Sequence, residues 1–376
     1  MPPLLYLFAL TNLVIGTGAF VLSGVIKLAS EGLGVSVAAA GQAMTAYAFA
    51  SAFLAPVLMV LTGKWARKRA LQAALLLYGL GCLLCALAPN LSTLLLGRIM
   101  MGTGAMFTPL AAGLTVAMVP PQMRARALAL SFLGIGMSYA IGLPIGTWLG
   151  FHVDWRAPLW LVTACCALAL LASSVLLPTN IEAPGASFAG LGALMRHTGV
   201  LRVLVRSLLY FMAIFSVFAF VGPVLQALNP LSANALSATL VMFGLAGVIG
   251  TFLGGWSADR FGPVPTLGFN LGILCTMMAL VPLTQDHYLL CVTVFIVWGL
   301  AGFALMAPQQ SRLAHLMPMH TPLLLSLNAS MMYIGTAMGA AISGAVLDTI
   351  GFEKLAWVGL PLALLALTTV WWDRRA

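Results

Sequence analysis

Charge is what this chain lacks. Its 17 basic and 8 acidic residues make up only 7% of 376 positions, where a soluble domain carries roughly 25%. Hydrophobic residues reach 62% and the mean hydropathy is +1.06. So few charged side chains cannot cover so much apolar surface in water, which excludes a soluble fold and implies an integral membrane protein. The net charge of +9 does not point to nucleic acid, because the basic residues cluster in short loops between apolar runs, as topology signals do. Alternating segments of about ten residues, the mark of a membrane β-barrel, are also missing; the apolar runs are about 20 residues long, the length of a helical span.

Other absences narrow the chemistry. The six cysteines (Cys82, Cys85, Cys165, Cys166, Cys275, Cys291) all lie in apolar runs and none in a loop. The Cys82-x-x-Cys85 pair therefore reads as helix packing rather than redox chemistry. No Gly-x-x-x-x-Gly-Lys-Ser/Thr occurs, so ATP-driven transport has no support, and no cofactor is expected. The five histidines, at 152, 197, 287, 315 and 320, fall in loops. They form no nucleophile-base pair or metal set, which disfavours a membrane enzyme. The stretch "HLMPMH" (315–320) has soft donors, but Pro318 interrupts any helix that would align them, and no metal site is assigned. A sensor would need a further soluble domain, and none is visible. The N-terminus has no basic n-region and is read as a retained first span.

What is present is a series of spans. Twelve apolar runs lie near 4–28, 36–62, 70–89, 92–118, 127–150, 157–177, 201–223, 235–257, 265–284, 288–308, 322–346 and 355–373. One polar break of linker length divides them six and six: an N-terminal bundle over 1–178, a cytoplasmic linker over 179–199 and a C-terminal bundle over 200–376. With the N-terminus placed in the cytoplasm, thirteen basic residues fall on that side, Arg202 and Arg206 among them. Three (Lys27, Arg156, Lys354) fall outside, and Arg98 lies inside a span. This positive-inside bias and the even span count put both termini in the cytoplasm. The halves repeat at an offset of about 198: "GTWLGFHVDWRAPLW" (146–160) matches "GAVLDTIGFEKLAWV" (344–358), and Phe20 and Gly24 match Phe218 and Gly222. Two parallel six-helix bundles are a transporter arrangement.

The motifs agree. Gly255-x-x-x-Asp259-Arg260-x-Gly262 resembles the loop signature of the major facilitator superfamily. A carboxylate at a helix end can pair with basic groups or helix termini next to it, and act as a latch. The first-half counterpart keeps Lys64, Arg67, Lys68 and Arg69, but has Gly63 where the family has its Asp and Ala66 where it has Gly. "GRIMMGTGA" (97–105) resembles the family's fourth-span motif, with Arg98 inside the membrane, a costly position that is a functional candidate by default. "GLPIGTWLG" (142–150) resembles the Gly-Pro motif of family exporters: Gly142 and Gly146 allow close helix approach and Pro144 bends the span. Leu143 intervenes and Thr147 replaces the last Gly of the family form, so plain helix packing explains the stretch equally well. "IGTGAFVLSG" (15–24), "AAAGQAMTAYAFA" (38–50) and "PPQMRARALAL" (120–130) extend the resemblance, over nearly the whole chain, to the bacterial drug and sugar efflux branch of arabinose-efflux-permease-like proteins.

The resemblance implies an all-α fold of twelve spans in a bacterial inner membrane, acting as a monomer that moves a small molecule by alternating access. Export is the expected direction, with a facilitator or importer as the alternative. Substrate is expected near mid-membrane, where Asn12, Tyr47, Arg98, Tyr139, Tyr210, Met242, Trp298, Asn328 and Tyr333 lie at suitable depth. One departure matters. Many relatives place Glu where this chain has Ala19, and every acidic residue here lies in a loop or at a span end. A proton relay is expected to need a mid-membrane carboxylate, so coupling to protons is in question, and neutral or anionic cargo suits this chain better than a cationic drug.

Overall fold

The computed structural model describes residues 4–120, 124–178, 196–317 and 321–373. Most of the expected linker and the His320 end of the His/Met stretch lie outside them, as do Glu182, Arg374, Arg375 and the side chains of Arg124, Arg126 and Asp373. Two units divide the chain, Met1–Ser187 and Phe188–Ala376. Among the described residues both are helical throughout, the form in which an apolar run satisfies its own backbone polar groups away from water.

The N-terminal unit holds spans one to six: Leu4–Leu33, Val37–Lys64, Arg67–Ala86, Leu91–Thr115, Leu130–His152 and Ala157–Leu176. The C-terminal unit holds spans seven to twelve: Thr198–Phe218, Ala233–Phe261, Pro263–Thr284, Tyr288–Leu313, Leu324–Ile350 and the shorter Leu355–Trp371.

Five departures from regular helix each precede a proline. Proline has no N–H to offer the carbonyl four residues earlier, and its ring crowds that carbonyl. The fourth span turns at Ala105–Met106 ahead of Pro109, the tenth at Leu305 ahead of Pro308, and the seventh at Ala219–Phe220 ahead of Pro223. Spans two and five instead widen into a single π-turn, over Ala50–Leu54 ahead of Pro56 and over Ser138–Gly142 ahead of Pro144. In all five the residue four positions before the proline is alanine (Ala52, Ala105, Ala140, Ala219, Ala304), a small side chain at the crowded point. The first span kinks without proline at Val25 (φ −117°, ψ 15°), after the Ser23–Gly24 pair. Phe220, three residues before the position in the seventh span that matches Val25, has nearly the same angles (φ −122°, ψ 26°).

Packing inside the N-terminal unit rests on small residues. Spans one and five meet along Gly134, Ser138, Gly142, Gly146 and Gly150, which lie against Ala9, Gly16, Thr17, Val21 and Val25. The C-terminal unit repeats the device, with Gly335 and Gly339 on the backbone of Leu208 and Met212. Hydrocarbon tails are as apolar as leucine, so close van der Waals contact of this kind, rather than burial, holds membrane helices together.

Candidate functional site

Arg98 is fully buried. Its guanidinium donates to the carbonyls of Gly18 (2.8 Å) and Ala19 (2.6 Å) on the first span and of Ala43 (3.1 Å) on the second. It lies 4.7 Å from the centre of the Tyr47 ring. The rest of "GRIMMGTGA" makes this approach possible. A methyl on Gly97 would sit 2.7 Å from the Gly81 carbonyl, one on Gly104 would sit 2.6 Å from the Tyr78 nitrogen, and one on Gly102 would strike the Tyr47 carbonyl. The fourth span is thus pressed on spans two and three by its glycines, and its arginine ties spans one and two. Tyr78, which has no motif to mark it, donates to the Ile15 carbonyl (2.6 Å) in the same region.

Asn12 is also buried, donating to the Ser131 carbonyl (2.8 Å) and accepting from Thr108 (2.8 Å). It joins spans one, four and five just beyond the break at Ala105–Met106. Tyr139 lies within the π-turn of the fifth span and stacks on Phe20, ring centres 4.8 Å apart. In the N-terminal unit, then, Tyr47 and Arg98 are brought together, while Asn12 and Tyr139 each contact other residues.

The C-terminal unit carries a polar group of which the sequence marks only Asn328. Gln309 donates to the Val203 carbonyl (2.5 Å) and to the Ser207 hydroxyl (2.8 Å), and Ser207 donates to Asn328 (2.5 Å). All three side chains are buried. The group joins spans seven, ten and eleven just beyond the Leu305 break, as Asn12, Thr108 and Ser131 join spans one, four and five. Arg206, grouped from the sequence with the cytoplasmic basic residues, is fully buried and donates to the hydroxyl (2.8 Å) and carbonyl (3.0 Å) of Thr369. Tyr210 is buried nearby on the same helix, and Trp298 packs in an aromatic cluster with Phe243 (5.4 Å) and Phe295 (5.3 Å). Met242 and Tyr333 are half-buried.

The two loops of the signature differ in a way their residues explain. Helices Ala233–Phe261 and Pro263–Leu280 are separated by Gly262 alone. Its φ of +88° is a left-handed conformation that glycine takes without steric cost. The first-half loop turns instead through Trp65 and Ala66 at ordinary negative φ and needs no glycine. Close approach in the second copy belongs to Gly254, on the Ala304 backbone, whereas Gly255 meets only the Ala307 methyl at 3.9 Å. Asp259 is exposed and has no ion pair among the described residues. It sits in the last turn of its helix, where the dipole disfavours an anion, so helix stability does not account for it. Arg260 rests over Trp256 and Phe261.

In the first copy Lys68 reaches the end of the sixth span, donating to the carbonyls of Ser174 (2.7 Å) and Leu177 (2.8 Å). A cation there satisfies free carbonyls and opposes the dipole. Arg67 donates to the Gly63 carbonyl (3.2 Å), and Lys64 and Arg69 are exposed. Lys68→Met should lower stability by about 1 kcal/mol, and Lys64→Met by less than about 0.5 kcal/mol. Melting of the purified protein in detergent separates the two, and equal melting points would remove the cap from the account.

Comparison with known proteins bears on the whole architecture. A family model described as Major Facilitator Superfamily matches residues 8–322 and again 231–376. The inner membrane transport protein YdhP of Escherichia coli (strain K12) is 31% identical over 364 residues, covering 96% of this chain and 93% of that protein. A probable sugar efflux transporter of Helicobacter pylori (strain J99 / ATCC 700824) is 25% identical over 363 residues, covering 96% and 93%. Among solved structures, a bacterial homologue of the human lysosomal transporter Spinster superposes with a TM-score of 0.82 at 15% identity, over 99% of this chain and 96% of that one. A D-xylose–proton symporter superposes with a TM-score of 0.79 at 14% identity, over 98% and 96%. The matched helices, the signature loop and the six-span repeat lead to one assignment: the chain belongs to the Major Facilitator Superfamily, a multi-pass membrane protein that moves small molecules by secondary transport.

Proposed function

We propose that this transporter exports a neutral, hydroxylated small molecule across a bacterial inner membrane, with both termini cytoplasmic and no proton relay in the membrane interior. One observation carries the reading: among the described residues no Asp or Glu is buried, while buried asparagine, glutamine, serine and threonine side chains are present in both units. A cationic substrate would want a buried carboxylate to replace its water, and a proton-coupled one a group that changes charge in the cycle. Arginine stays protonated in practice. Arg98 and Arg206, moreover, direct hydrogen bonds to backbone carbonyls and a threonine hydroxyl of their own units, which weakens the case for anionic cargo. The sugar efflux relative, at 25% identity, supports both class and direction. Asp259 is assigned to the gate, since its unfavourable place at a helix end is otherwise unexplained.

Reconstituted liposomes test this directly. Neutral sugars should cross, and a cationic dye should not. Any dependence on an imposed pH gradient should vanish in the Asp259→Asn, Asp348→Asn double variant, because these are exposed carboxylates within the ends of spans eight and eleven. Proton-driven transport that survives loss of both, or preferred transport of the dye, would sink the proposal.

A further inference from the structure

We propose that the loop joining spans two and three docks an anionic phospholipid of the inner leaflet, its phosphodiester held by Lys64 and Arg69 and its glycerol and upper acyl chains resting on Trp65 and Leu61. The inference goes beyond the transport reading above and takes from it only the cytoplasmic placement of this loop.

Charge in the N-terminal unit is distributed unevenly. Lys64, Arg67, Lys68 and Arg69 fall within six residues. The acids among the described residues of this unit are Glu31 and Asp154. Glu31 lies in the last turn of span one and Asp154 follows span five, so both are at the other end of the bundle. Asp154 is also engaged there, accepting from the Arg156 backbone N–H (2.8 Å) and lying 3.9 Å from the Arg156 guanidinium. The loop has no carboxylate of its own, since Gly63 stands where the family signature has Asp.

The fold uses two of the four cations. Lys68 donates to the carbonyls that end the sixth span, and Arg67 is buried and donates to the Gly63 carbonyl. Lys64 and Arg69 are exposed, with no hydrogen bond or ion pair among the described residues. Arg69 sits in the first turn of helix Arg67–Ala86, and Ala66 supplies no side-chain cap there. The dipole disfavours a cation at that end, so helix stability does not account for Arg69.

A topology signal needs only charge, but here apolar surface accompanies it. Trp65, between Lys64 and the helix, is 52% exposed, and Leu61, which ends helix Ala55–Leu61, is 70% exposed. Tryptophan settles at headgroup depth. An arginine meets a phosphate with two parallel N–H donors, and a lysine adds a point charge. A soluble anion would engage the two cations and leave the tryptophan and leucine bare, whereas a phospholipid engages all four. The headgroup must carry net negative charge, because the ammonium of a zwitterionic one meets no carboxylate here. The second signature loop is the contrast. Its Trp256 and Phe261 are 55% and 59% exposed, but Arg260 has Asp259 beside it and lies 5.6 and 5.7 Å from the centres of those rings.

The test offers full-length protein in detergent micelles phosphatidylglycerol and phosphatidylcholine with the same acyl chains, and native mass spectrometry counts the lipid retained. Phosphatidylglycerol should be preferred, more strongly at low salt. Lys64→Gln and Arg69→Gln should each cut that preference about fivefold, and the pair about 25-fold. The charge-keeping pair Lys64→Arg, Arg69→Lys should retain most of it, and Arg260→Gln should leave it unchanged. Melting in lipid-free detergent checks the fold of each variant. A double glutamine variant that melts like the wild type and keeps the preference would overturn the proposal, as would a wild type with no preference. So would glycerol phosphate competing as well as the lipid, since the site would then belong to a soluble anion. Reporters that place the loop on the outer side would defeat the orientation alone, because micelles have no sides and the lipid count stands apart from it.

Discussion

Arg98→Ala should destabilise the protein by about 3 kcal/mol, more than loss of any surface charge. A hydrogen bond to a charged group contributes about 1.5–3 kcal/mol, and Arg98 makes such bonds to three backbone carbonyls, with the Tyr47 face adding a cation–π contact. Against this stands the cost of an arginine in the membrane, about 2.5–3.5 kcal/mol at a helix centre, which the substitution returns. The carbonyls of Gly18 and Ala19 also keep their helical partners, so they are not left bare. The balance still favours the native residue. Arg98→Lys should be little better than alanine, because a compact ammonium cannot span carbonyls on two helices as the planar fork does. Thermal unfolding in detergent, at one scan rate for all variants, reads the difference. A variant that melts like the wild type but has lost transport would return Arg98 to the solute path.

Gly134→Val should be worse, leaving little folded protein. A Cβ at this position would fall on the Ala9 carbonyl oxygen and 2.7 Å from the Leu13 nitrogen. Both are backbone atoms of the first span, so no side chain can turn aside and spans one and five would have to separate along their whole seam. Gly113 gives the matched control. It too is helical, but a methyl there meets nothing within 4 Å, and Gly113→Ala should hold or raise stability by up to about 1 kcal/mol. The monodisperse fraction after detergent extraction checks both. A well-folded valine variant would mean that the seam is looser than described.

Much of the fold was legible because hydrocarbon imposes length and helicity on any apolar run, and because the repeat near an offset of 198 is written in residues such as Phe20 and Phe218. The prolines were legible only in part. Pro144 was read as a bend, but sequence does not tell whether a helix answers a missing N–H by breaking, as at Pro308, or by widening into a π-turn, as at Pro144. The burial of Arg206 was not legible, because a count of loop charges cannot see which helix face a residue near a span end occupies; Thr369, which accepts from it, lies 163 residues away. Of the Ser207–Gln309–Asn328 group only Asn328 was legible, and Ser207 and Gln309 escaped for a similar reason. Single polar residues in three separate apolar runs leave no periodic signal, and only tertiary contact joins them. The carboxylate of the signature loop was found, yet no partner for it appears among the described residues, so its role rests on position alone.

The two buried arginines differ in how long each must wait for its partners as the chain is made. The backbone carbonyls that accept from Arg98 all lie earlier in the sequence, at residues 18, 19 and 43. When the ribosome delivers the fourth span to the bilayer, the helices that will receive its charge are already there. Arg206 has the opposite order. Thr369, which accepts two of its hydrogen bonds, belongs to the last span, so these two bonds form only when the final helix emerges. The carbonyl contacts of Arg98 can therefore form while synthesis continues, whereas the tie between the seventh and twelfth spans is among the last contacts of the C-terminal unit to be made.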